Sequence, residues 1–227
     1  MRLSITCVLV LQCCMLVPAV RADDVKKTDV YGRIKASIDA VPAIDTHDHL
    51  MPFERIGPRD KTEQGEGITL RSIWAGSYFP WIHPLEPWPK DGSFDTWWSK
   101  ARDNFANARA TSFYRYLLPA FHDLYGVDFD TITDEQARAL NDKIFENYKT
   151  DKWLKEVITE RANIELMVID AHWARLDFTT HYPFTVALCN VTSVVDGFHP
   201  SEFKNPLDDP YAFAARQQMQ INSLDDY

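Results

Sequence analysis

Apolar residues spaced by four, Val30, Ile34 and Ile38, predict a short amphipathic helix over 30–40, ended by Pro42. Ala43-Ile44-Asp45-Thr46-His47 then reads as a short buried strand running into Asp48-His49-Leu50. From residue 51 to about 92 neither a helical nor a strand period holds. The Pro, Trp and Phe of that stretch predict a packed insertion or lid rather than disorder. Helical spacing returns over 93–101 and 104–125, where Phe105, Ala108, Phe113, Tyr116, Leu117, Phe121 and Leu124 form an apolar stripe. Pro119 is expected to kink the second helix and Gly126 to end it. Thr133 with Gln136 three residues on is a helix-start signature, and that helix is expected to reach about 149. The next begins at Asp151 and turns Trp153, Leu154, Val157 and Ile158 inward. The runs 164–170 and 184–191 read as buried strands, and 210–225 as a final helix. Strands separated by helices or long crossovers predict an α/β fold with a parallel sheet, open or closed.

The N-terminus has a different pattern. Residues 1–22 join Arg2 to a largely apolar run and end on Val20-Arg21-Ala22, which reads as a signal peptide and its cleavage site. The expected organisation is therefore a signal over 1–22 and one α/β unit over 23–227, exported to the periplasm or secreted. Cleavage removes Cys7, Cys13 and Cys14, leaving Cys189 without an internal disulfide partner. Stability must then come from a hydrophobic core or a bound metal. Cys189, in an apolar strand with no readable partner, reads as an inert buried thiol.

Composition narrows the function classes. The 227 residues are 45% hydrophobic and 25% charged, which excludes a disordered or low-complexity chain. A formal charge of −9 with no Lys/Arg cluster argues against a nucleic-acid partner. No Gly-x-Ser-x-Gly elbow, Walker loop or dinucleotide-binding glycine pattern is present. The expected partner is a small-molecule substrate. No stable membrane span is expected after signal cleavage, and an oligomer is left open.

Asp45-Thr46-His47-Asp48-His49 carries the sharpest chemistry. Residues two apart on a strand share a face, so His47 and His49 can aim both imidazoles at one point, at the strand end where α/β folds place ligands. Neutral imidazole is the commonest ligand of zinc and related divalent ions. Asp45 shares that face and is placed to orient or bridge; Asp48 should point away. Asp170 and His172 share parity at the end of the second strand and are weaker candidates for a substrate-facing or supporting role, with an ordinary strand-terminal turn as the simpler account. His83 reads as part of the lid or its packing, His122 as a helix-face residue, and His199 as a turn. Asn190-Val191-Thr192 matches the glycosylation sequon.

The segment Ala43-Ile44-Asp45-Thr46-His47-Asp48-His49-Leu50 resembles the first-strand signature of the amidohydrolase superfamily. The helical stretch from Arg109 to Gly126, followed by the Thr133 helix, is similar to the uronate isomerase-like branch. The resemblance implies a (β/α)₈ TIM barrel with one or two divalent metals, zinc by preference, and His47 and His49 as the first two ligands. It casts the chain as the first three or so strands of that barrel, with a helical insertion at about 51–150 after the first strand. Such barrels need about 250 residues. The remaining ligands and the catalytic groups are thus expected beyond residue 227, and the chain by itself is expected to be weak or inactive. The implied activity is metal-dependent hydrolysis of an amide, ester or lactone. The alternatives are a uronate isomerase-like sugar-acid isomerase and a non-catalytic exported binding module.

Overall fold

The computed structural model describes residues 22–195 and 197–227, so the signal assigned to 1–22 lies almost wholly outside the described residues. The chain divides at 43/44 into two compact units. The described part of the first holds the helices α1 (Ala22–Lys26) and α2 (Asp29–Asp39). Thr28 caps α2, its hydroxyl accepting from the Tyr31 N–H at 3.2 Å. The helix forms where the spacing predicts, but buries nothing: Val30, Ile34 and Ile38 are all more than half exposed.

The second unit is a mixed α/β structure. Its elements begin with β1 (Ala43–Asp48), the hairpin β2 (Asp60–Thr62) and β3 (Gly65–Gly67), α3 (Leu70–Ala75), α4 (Phe94–Ala108), α5 (Ser112–Arg115), α6 (Leu118–Tyr125) and α7 (Asp134–Asn147). They continue with α8 (Lys152–Glu156) and the wider π turn Val157–Arg161, then β4 (Ile164–Ile169), β5 (Thr185–Ala187), α9 (Thr192–Val195) and α10 (Pro210–Arg216). β1, β4 and β5 form an open three-stranded parallel sheet in that order. Met167, Val168 and Ile169 of β4 stand opposite Thr185, Val186 and Ala187 of β5.

The aperiodic stretch is ordered by a polar cluster that no local pattern announces. Asp60 is buried, and its carboxylate accepts from the Arg71 Nε at 2.9 Å, from the Thr69 hydroxyl and from the Ser72 hydroxyl at 3.1 Å. The same two hydroxyl oxygens accept backbone N–H groups and close the capping box of α3 (Ser72 N–H to Thr69 at 3.2 Å, Thr69 N–H to Ser72 at 3.0 Å). Asn141 of α7 takes the Leu70 N–H at 3.1 Å. Gly67 lets α7 approach: a Cβ there would stand 2.5 Å from the Phe145 ring.

Above this cluster sits an aromatic core centred on Trp74. Tyr114 stacks on it at 5.4 Å, and Phe79, Phe105, Phe121 and Phe129 lie at 4.8–5.5 Å. The insertion is thus a packed helical body. The two helices expected over 93–125 are three. α4 runs unbroken to Ala108, and Thr111 then ends it and starts α5, donating to the Ala108 carbonyl at 2.7 Å and accepting from the Tyr114 N–H at 3.3 Å. Pro119 lies in the first turn of α6, where no N–H is needed, so it starts a helix rather than kinking one. Gly126 closes α6 in the left-handed conformation (φ 69°), and the Thr133/Gln136 box opens α7, both as expected.

A smaller cluster under the sheet, Leu154, Ile158, Met167, Tyr182 and Phe184, positions the site. Leu50 and Phe53, just after β1, pack on it. The Tyr182 hydroxyl donates to the Met51 carbonyl at 3.2 Å, and burial, with Asp151 and Glu54 nearby, pushes its pKa up to about 12. The expectation of buried strands fails on the other side. Ile44, on the edge strand β1, is 59% exposed, and Val186, opposite Val168, is 41% exposed. The strand expected over 184–191 is only Thr185–Ala187, and the helix expected over 210–225 stops at Arg216. Cys189 lies beyond the strand end and is exposed, which corrects its reading as a buried thiol. Among the described residues no helix is long and apolar enough to cross a membrane.

Candidate metal centre

The site is built where β1, β4 and β5 end side by side. The Asp170 N–H donates to the Asp48 carbonyl at 2.8 Å, and the Leu188 N–H to the Ile169 carbonyl at 2.8 Å, which carries the ladder one step past the strands. This brings residues more than 120 positions apart into hydrogen-bond contact.

His47 Nε2 and His49 Nε2 face each other at 3.3 Å, their rings edge to face with centroids 4.8 Å apart. His49 Nδ1 lies 2.7 Å from the Asp170 carbonyl oxygen. A carbonyl only accepts, so Nδ1 carries the proton and Nε2 presents a lone pair. The third member is Asp170: His47, His49 and Asp170 each offer one ligand atom, all within 4.8 Å of one another, a group able to hold a metal ion. The donor set passes a simple test of fit. Two imidazole nitrogens bound to one tetrahedral ion at about 2.0–2.1 Å stand about 3.3–3.4 Å apart. Two facing lone pairs at that spacing repel unless a cation or proton lies between them.

The remaining sequence candidates fall elsewhere. Asp45 Oδ1 accepts the His47 N–H at 3.1 Å, so this carboxylate braces the strand backbone. Asp48 does not simply point away: it is half-buried and lines the same cleft as the two histidines. Burial, and then the Asp45 carboxylate, raise its pKa against the opposing pull of the Leu50 and His49 N–H groups. Asp170 and His172 both contact His49. His172 Nδ1 is 3.4 Å from His49 Nδ1 with the rings edge to face, so it meets His49 at the nitrogen already committed to Asp170 and buttresses that ring. His83 Nδ1 contacts the Pro84 carbonyl, His122 pairs with Asp123 on an exposed helix face, and His199 caps the turn Pro200–Glu202.

Sequence reasoning missed two parts of the site. One is Asn190, whose Nδ2 donates to Asp170 Oδ1 at 3.1 Å; the sequence shows it only as part of a sequon. The other is an aromatic wall. An open cleft of about 700 Å³ runs from the histidine pair and Asp48 to Tyr78, Trp81 and Tyr116, and among the described residues no Lys or Arg lines it. Tyr78 and Trp81 meet edge to face at 5.0 Å, and the Tyr78 N–H donates to the Tyr116 hydroxyl at 3.2 Å. Trp81 is 77% exposed, an uncommon setting for so large an apolar surface. The Pro/Trp-rich composition flagged this stretch, but not which rings would reach the histidines.

No family model matches the chain, and no curated protein or solved structure matches it.

Proposed function

We propose that this chain bears the metal centre and substrate cleft of an exported, amidohydrolase-type hydrolase, built on the first strands of a (β/α)₈ barrel. The observation that carries the reading is the pair of Nε2 atoms 3.3 Å apart, with the His49 tautomer set by the Asp170 carbonyl. Zinc suits two imidazoles and a carboxylate. Such an ion supplies Lewis-acid chemistry, acidifying water and polarising a carbonyl. His47, His49 and Asp170 hold it, His172 braces His49, and the aromatic wall receives the substrate.

The rings of Tyr78, Trp81 and Tyr116 in the cleft lining suit the uncharged body of an amide, ester or lactone. The strand order β1-β4-β5, sequential and parallel, is compatible with successive barrel strands.

Equilibrium dialysis of the full chain against zinc tests the reading: one tightly held ion per chain is expected, removable by chelator. A folded chain that takes up none sinks it. Trp81 offers a second check. Trp81→Ala is expected to weaken binding of glucono-1,5-lactone to the zinc-loaded chain by about 5–10-fold, the equivalent of about 1 kcal/mol of ring contact. Stability should stay within about 0.5 kcal/mol, because the side chain is so exposed. Unchanged lactone affinity would remove the aromatic wall from the substrate site.

A further inference from the structure

We infer that Asn190 is the positioning residue for Asp170, an inference that rests on the metal-centre reading above. The geometry leaves this amide one orientation. Its Oδ1 accepts the Thr192 N–H at 3.1 Å and also the Thr192 hydroxyl. With the oxygen committed to two donors, Nδ2 is turned to Asp170, where it donates to Oδ1 at 3.1 Å. Flipping the amide would set its NH₂ against two donors and its oxygen against a carboxylate.

Asp170 is thereby held at three points. Its N–H goes to the Asp48 carbonyl, its own carbonyl receives His49 Nδ1, and its carboxylate receives Asn190. The first two fix its backbone against β1. Among the described residues only the third, from just beyond β5, fixes the direction of the carboxylate. Asn190 and Thr192 thus act as a clamp from the third strand, delivering the carboxylate toward the imidazole pair built by the first. The Asn190-Val191-Thr192 sequence has a structural reading of its own here. The nitrogen that a glycan would occupy is the one donating to Asp170, and the threonine is the residue that aims it.

Hydrogen-bond partners of metal ligands are generally worth about 10–100-fold in metal affinity. The test is zinc affinity of the full chain by competition with a chromophoric chelator, comparing wild type, Asn190→Leu, Asp170→Ala and the double variant. Asn190→Leu keeps the side-chain volume and removes the donor. It is expected to weaken zinc binding by about 10–100-fold. In the Asp170→Ala background the same substitution is expected to change affinity by less than about twofold, since there is no carboxylate left to aim.

A loss of affinity that persists undiminished in that background would show Asn190 acting through the fold at large, and overturn the inference. So would an Asn190→Leu chain that binds zinc as wild type does. A wild-type chain that binds no zinc is the separate failure of the metal-centre reading. The d–d spectrum of the cobalt-substituted chain gives an independent readout. It should shift on Asn190→Leu, because the carboxylate's approach to the ion changes; an identical spectrum counts against the clamp.

Discussion

Replacing His47 and His49 together by alanine is expected to bring zinc uptake down to background while moving the thermal midpoint by no more than about 2 °C. Both parts follow from where the residues sit. The imidazoles supply the two nitrogens that face each other at 3.3 Å, and Asp170 alone cannot hold an ion by chelation. Both side chains project from an exposed edge strand and belong to neither hydrophobic cluster, so their removal opens no cavity. Dialysis against zinc and a melt followed by circular dichroism measure the two halves separately. Stoichiometric zinc in the double variant would place the ion elsewhere.

Asp60→Ala is the opposite case, with an expected cost of about 3–5 kcal/mol in stability. Asp60 is buried and answers four donor groups: two nitrogens of Arg71 and the hydroxyls of Thr69 and Ser72. Truncation leaves the Arg71 guanidinium, largely covered, without its counter-charge, and strands both hydroxyl protons of the α3 capping box. The damage reaches the aromatic core, because α3 carries Trp74. Asp60→Asn should cost less, since it keeps one acceptor oxygen while presenting an NH₂ to Arg71. Urea unfolding followed by tryptophan fluorescence gives both values. A cost below about 1 kcal/mol for the alanine variant would mean the cluster is solvated and the pair weak.

Much of the local structure was legible. Caps and stops that act through their own neighbours, Thr133 with Gln136 and Gly126, are where the sequence put them. The first strand and its alternating histidines are there too, because a period of two needs nothing beyond the strand itself. What was misread depended on partners far away. The hairpin and α3 within 51–92 are held by Asp60, Arg71 and Asn141, residues up to 81 positions apart that share no period. Thr111 looked like an interior helix residue, yet its hydroxyl serves two helices at once.

At the site, the sequence by itself placed His47 and His49 on one face, since two residues of extended backbone separate them. It could not decide the tautomer of His49, the carboxylate that joins the histidine pair or the wall of the cleft. Those depend on Asp170 and Asn190 arriving from β4 and β5, and on Tyr78, Trp81 and Tyr116 arriving from the insertion. Hydrogen bonds and ring contacts between strand ends are set by register and packing, so only the tertiary structure places them.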